Sequence, residues 1–304
     1  MTGTRGSSTP AWAHARVPAH PALPPSARGT RRAARWVVRR WTLALGIAMV
    51  GLLCLAAAGA GALAPAPPHV QHMSETLRPP SGAHPLGTDE FGRDLLSRIL
   101  FGARLSLAAS AAAVALGALA GGALGLTAGY TGGVYDSIVG RVVDVLFAFP
   151  VILLGIAIVA VLGPGERGVV VAIAIASLPN FARVSRAAML AEREREYVAA
   201  AYAAGASAAR IVLRALLPNL VGPLAVLVSL GFAYAVLYEA SLGFLGLGAQ
   251  PPTSEWGVML SAAREYLFQS PWYSVFPGVA IFLLVFSLNL IGDGLRDLLD
   301  PRLR

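Results

Sequence analysis

Apolar residues along this chain come in long runs, not at a spacing of two or of three to four. Runs of about 18 or more are long enough to cross a bilayer as a helix. They fall at about Thr42–Leu63, Leu105–Gly129, Val145–Gly163, Gly168–Leu190, Leu216–Glu239 and Val275–Gly292. The pattern predicts an all-α, polytopic membrane protein with about six transmembrane helices. The fourth run is the least regular. Its apolar part ends near Ala182, and Arg183 and Arg186 continue what reads as the same helix. Pro150, Pro179 and Pro223 fall in or near the runs, where neighbouring helices can satisfy the carbonyls a proline leaves free.

The segments between the runs set the organisation. Residues 1–40 are rich in Pro, Ala and Arg, with no acidic residue and no periodic apolar face. They read as a disordered cytoplasmic tail. Residues 41–63 form the first transmembrane helix. A secretory signal is the competing reading, since Arg39 and Arg40 precede the run, but the run exceeds a signal core of about 7–15 residues. Residues 64–103 form an external segment, 104–294 a core of five further helices, and 295–304 a short cytoplasmic tail.

Composition supports the membrane reading. Of 304 residues, 56% are hydrophobic and 13% charged, where a soluble domain carries about 25% charged. The net charge is +8, and every basic residue other than His is Arg, since the chain has no Lys. The charge lies beside apolar runs, which points to anionic lipid and not to nucleic acid. Eighteen Arg fall in the N-terminal tail, Tyr130–Asp144, Ala182–Ala215 and the C-terminal tail; six fall on the opposite side. The positive-inside rule then places both termini and the 182–215 segment in the cytoplasm. Trp256, Tyr266, Trp272 and Tyr273 fall in an outer loop, where interface anchors are expected.

Several chemistries are disfavoured. A Walker loop needs a Lys to reach the β- and γ-phosphates, so this chain is not expected to hydrolyse ATP. An ion-coupled secondary transporter usually holds ionisable residues in mid-span, and Arg104, Asp144 and Glu239 sit at predicted ends. His69 and His72 follow Pro67 and Pro68, which argues against one helix presenting both to a metal. The single Cys54 excludes an intrachain disulfide, and Leu53 before it argues against lipidation. No arrangement of an intramembrane enzyme stands out. No cofactor is expected on this chain.

Two further patterns mark candidate surfaces. Gly117, Gly121, Gly125 and Gly129 recur every four residues on one helix face, where missing side chains let another helix approach. That helix lies either within the subunit or across a subunit interface. Outside the membrane, Asp89, Glu90, Arg93 and Asp94 cluster in one segment and Trp256 stands in the other. Such a polar, aromatic surface suits docking of a soluble partner.

The stretch EREREYVAAAYAAGASAARIVLRALLPNL, Glu192–Leu220, is a charged run, a short Ala-rich helix, Gly205, a basic helix and Pro218 leading into a span. It resembles the EAA loop of ABC importer permeases, at Ala200, Ala201, Gly205, Leu217 and Pro218. Ala199 departs from the family's usual Glu, and Ala215 from its Ile. In that family the loop, here about 192–218, forms a coupling helix that inserts into an ATPase subunit, which also implicates Tyr197 and Ala206. HPLGTDEFGRDLLSRILFGARLSL, EASLGFLGLGAQPPTSEWGVML and SLNLIGDGLRDLLDPRLR are similar to the dipeptide, oligopeptide and nickel branch. The resemblance covers about residues 84–304. It implies a type I ABC importer permease fold, a second related permease subunit, two ATPase subunits holding ATP and Mg, and an external substrate-binding protein. Peptides are favoured as cargo over nickel, because the spans offer no His and carboxylates only at their ends.

Overall fold

The computed structural model describes residues 25–299, with side chains from Trp41 onward. The chain divides into two units, Met1–Val38 and Arg39–Arg304, and the packing described below is that of the second. The longer helices are α1, Pro25–Ala58; α2, Leu95–Thr131; α3, Gly133–Phe147; α4, Val151–Leu162; α5, Glu166–Arg193; α6, Glu196–Ala203; α7, Leu217–Phe244; α8, Trp256–Ala263; and α9, Pro271–Leu299. Helix α1 begins inside the 1–40 stretch expected to be a tail; residues 1–24 and 300–304 lie outside the described residues.

Among the described residues, Trp41–Ala58, α2, α5, Ala208–Phe244 and α9 are each long and apolar enough to cross a membrane. The third expected span is different. Helices α3 and α4 pass the same test only together, and they meet at a bend of 92°. Proline explains the break. Pro150 offers no N–H, and its ring drives Phe149 out of the helical region. Helix α3 is capped at Ala148, and Pro150 becomes the extended N-cap of α4. By contrast Pro179, Pro223 and Pro277 sit inside continuous helices.

Helix α2 starts ten residues earlier than the apolar run suggests. Asp94 is its N-cap, and Asp94 Oδ2 accepts from the Ser97 N–H at 2.8 Å. This satisfies an orphan donor of the first turn. The start is therefore set by polar capping and not by hydropathy.

The glycine stripe packs within the subunit. A Cβ on Gly117 would stand 2.2 Å from Ser177 Oγ, on Gly121 2.4 Å from the Leu178 carbonyl, on Gly125 2.1 Å from the Ala182 carbonyl, and on Gly129 2.8 Å from the Arg186 carbonyl. Backbone touches backbone over four successive turns. The partners rise in number with the glycines, so α2 and α5 run parallel. A chain with two parallel neighbours must return between them, and α3 with α4 makes that return.

Other pairs run antiparallel. Gly231 of α7 lies against Phe181 of α5, Gly222 against Leu299 of α9, and Gly46 of α1 against Ile291. The 131–133 turn, the 193–217 segment and the end of α9 then lie at one end of the bundle. The 58–95, 162–166 and 244–271 segments lie at the other. The core has a middle layer around Val159, Ile173, Phe181 and Leu242. A second layer at the far end is built on Leu95, Trp256, Met259, Tyr273 and Leu284.

Candidate functional site: the α6 segment and the opposite end

At the first end, α6 is only eight residues long, too short to hold itself in water. Its stability comes from packing. Val198 is buried with Met189, Ile211, Leu216 and Leu220. Tyr197 fastens the other side: its hydroxyl donates to Glu192 at 2.8 Å and accepts from Asn219 Nδ2 at 3.0 Å. The Tyr202 and Tyr130 hydroxyls lie 2.9 Å apart, which ties α6 to the end of α2. Arg193 Nη1 donates to the Tyr130 carbonyl at 2.5 Å.

Helix α6 ends in a Schellman turn. The Ala206 N–H donates to the Ala201 carbonyl at 3.1 Å and the Gly205 N–H to the Tyr202 carbonyl at 3.0 Å. Gly205 has φ +77°, the left-handed conformation this motif demands and glycine adopts without cost. A helical turn at Ala208–Ile211 and a π turn at Val212–Leu216 follow. The Leu217 N–H reaches back to Val212. The widened turn accommodates Pro218, which cannot donate a helical bond of its own. Ala199, Ala200, Ala203, Ala204 and Gly205 are exposed, while Ala201 and Ala206 are half-buried. The outward face is therefore smooth, and it is flanked by Tyr197 and Tyr202.

The opposite end corrects the expectation for Asp89, Glu90, Arg93, Asp94 and Trp256. They do not form an exposed docking surface. Asp89 is 0%, Asp94 2%, Arg93 4% and Trp256 1% exposed. Asp89 Oδ1 accepts from the Phe91 and Arg93 N–H groups, each at 2.9 Å, and Oδ2 from Arg93 Nε at 2.6 Å. Arg98 Nε lies 3.4 Å from the same Oδ2. Glu90 pairs with Arg93 at 3.3 Å and accepts from the Tyr273 hydroxyl. Two carboxylates thus meet two guanidinium groups, and the charges balance as burial requires. Trp256 donates from Nε1 to the Ile99 carbonyl at 3.0 Å, with its ring on Gly102. Tyr273, expected as an interface anchor, is likewise fully buried.

His84 bridges Asp94 at 3.0 Å and Glu75 at 3.2 Å. The hydrogen bond to Asp94 raises the imidazole above its ordinary value against the opposing effect of burial, and Glu75 adds to the rise. His69 Nδ1 lies 3.1 Å from the Pro252 carbonyl. Sequence reading missed this network, because single charges carry no sign of their partners. It also missed a buried pair, Glu239 with Glu255. The signal there was the S-E-W-G stretch, a helix-start pattern at Glu255.

Residues 121–304 match the family described as "Binding-protein-dependent transport system inner membrane component". The chain is 48% identical over 231 residues to the dipeptide transport system permease protein DppC of Alkalihalophilus pseudofirmus, covering 76% of each chain. It is 45% identical to the di/tripeptide transport system permease protein DppC of Pseudomonas aeruginosa, covering 85% of this chain and 88% of that one. It is 50% identical to the glutathione transport system permease protein GsiD of Pectobacterium atrosepticum over 74% of this chain and 75% of the relative. Among solved structures, an inward-facing MetNI methionine ABC transporter chain matches at TM-score 0.55 and 20% identity, covering 67% of this chain and 96% of that chain. That likeness bears on the fold.

Proposed function

The chain belongs to the family of binding-protein-dependent transport system inner membrane components, and from that premise we propose that it is one of two pore-forming permease subunits of an ATP-driven importer of di- and oligopeptides. The α6 segment carries the reading. A short helix with a smooth alanine face, closed by a glycine turn and followed by the helical run Ala208–Phe244 that contains α7, suits insertion into a groove of another protein. The roles assigned to Tyr197, Ala199, Ala200, Ala201, Gly205, Ala206, Leu217 and Pro218 follow from that placement. Tyr197 and Val198 fasten the helix, Gly205 turns it, and Leu217 and Pro218 pass its motion to α7.

Two ATPase subunits hold ATP and Mg, because the chain has no Lys for a Walker loop. Exposed Val134, Ile138, Val142, Val145 and Val161 on α3 and α4 supply an apolar surface for lipid and for a second, related permease subunit. A soluble binding protein delivers cargo on the external side. Both termini and the α6 segment face the cytoplasm, as the Arg distribution favours. In an alternating-access cycle, closure of the ATPases shifts α6, and the bundle changes between two packings.

The names of the relatives support peptides as cargo, and cells provide the test. Labelled di- and oligopeptides should enter cells carrying the whole transporter and not cells lacking this subunit. Nickel should enter both equally. Subunit-dependent nickel uptake without peptide uptake would overturn the peptide reading. Affinity capture of the tagged chain should bring down ATPase subunits, and a capture free of them would overturn the importer reading.

A further inference from the structure

Glu239 sits on α7 more than a turn inside its end, and it is 4% exposed. Glu255 caps α8 and is 2% exposed. The two side chains line one small cavity. Were both ionised, neither could donate to the other, because a carboxylate is only an acceptor. Read as ionised, Glu239 leaves Oε2 buried without a partner, a costly arrangement. One proton between the pair supplies the missing donor.

The surroundings are built for such a pair. Glu255 Oε1 accepts from the Gly257 N–H at 2.6 Å and Oε2 from the Val258 N–H at 3.1 Å. These donors at a helix start favour the charged form of Glu255. Glu239 Oε1 accepts only from Ser106 Oγ, at 3.2 Å. The proton therefore belongs on Glu239 Oε2. Gly243 and Gly248 leave room for the Glu255 carboxyl, since a Cβ there would stand 2.3 and 2.9 Å from its Oε2. A cavity of about 10 Å³ adjoins the pair. Leu105 and Ala109 of α2, Val169 and the Glu166 carboxylate of α5, and Gly248 and Ala249 of the loop complete its lining, with no Arg or His among them. No lining cation can take the place of the proton. Burial pushes the Glu255 carboxyl up to about 7, against the opposing pull of the two N–H donors and of Glu239.

We propose that Glu239 and Glu255 bind a single proton between them at neutral pH, and that this shared proton fastens the 245–255 loop to the end of α7. Loss of the proton to solvent leaves two adjacent carboxylates facing a third at Glu166. Like charges in a dry site repel, so the loop lifts. The site is a proton site, and alkaline conditions open it.

Infrared spectra of the purified full chain test where the proton is. At neutral pH a buried carboxylic acid carbonyl band should be present, absent in Glu239→Gln and shifted in Glu255→Gln. No such band, or one unchanged in both variants, would overturn the proposal. Loop opening is read by thiol labelling in a Cys54→Ser background. Ala249→Cys, at a position 8% exposed, should label slowly at neutral pH. Its rate should rise several-fold at alkaline pH relative to Phe268→Cys, whose position is fully exposed. Glu239→Gln keeps a neutral donor and should hold that ratio flat. A ratio independent of pH in the parent, or one that rises equally in Glu239→Gln, would overturn the latch.

Discussion

Gly205 is the residue where backbone geometry and proposed mechanism meet most directly. Its φ of +77° is one that a β-branched side chain resists, at a cost of about 1–3 kcal/mol. Nothing lies within 4 Å of the position a Cβ would take, so the cost is strain and not collision. Gly205→Val should leave insertion intact and abolish peptide uptake and recovery of ATPase subunits on affinity capture, whereas Gly205→Asn, which tolerates this conformation, should retain both. His84 offers a second residue-scale outcome. Its folded value is raised above the ordinary 6.5 by Asp94 and Glu75. A raised histidine stabilises fully below its unfolded value and loses that contribution as pH rises through the folded one. Thermal stability should therefore fall as pH climbs above about 6.5, and His84→Asn should flatten the slope. A slope unchanged by that substitution would remove His84 from the network's energetics. Gly205 was legible in the sequence because a turn after an alanine helix needs a residue of its kind. The burial of Asp89 and Trp256 was not, because their partners Arg98 and Ile99 lie on α2.

At the scale of elements, the seam between α2 and α5 dominates. A side chain at Gly125 would place its Cβ 2.1 Å from the Ala182 carbonyl. That atom is backbone and cannot turn aside, so Gly125→Val must separate the helices and should cost at least the ~1–3 kcal/mol of ordinary overpacking. The measurement is thermal unfolding of the purified chain, with Gly133→Val as the comparison, since no atom lies within 4 Å of a Cβ there but φ is +63°. Gly133→Val should show strain alone and the smaller loss; equal losses would deny the seam its role. The stripe itself was readable from its spacing, and its partner helix was not. The bend between α3 and α4 was half readable. Pro150 was visible in the run, but a proline inside a span bends some helices and leaves others continuous, as Pro179 and Pro223 demonstrate.

For the whole molecule, the order of parallel and antiparallel pairs gives each connecting segment an end of the bundle. Reporter fusions after Pro80 and after Gln269 should read external, and a fusion after Leu299 cytoplasmic. A cytoplasmic signal at either of the first two points would overturn the proposed orientation. Hydropathy placed most of the crossings, because bilayer thickness sets their length. It misjudged where α2 starts and α7 ends, because capping and packing decide those boundaries outside the lipid. The parallel seam also bears on how the chain is made. Helix α2 leaves the ribosome before its partner, and its glycine notches stay unfilled until α5 arrives. If the Gly133–Leu162 stretch fails to cross, α5 enters reversed beside α2, and the carbonyls of Leu178 and Ala182 no longer fall opposite Gly121 and Gly125. The seam closes only for a chain in which the Gly133–Leu162 stretch has crossed, so this packing depends on the completed topology.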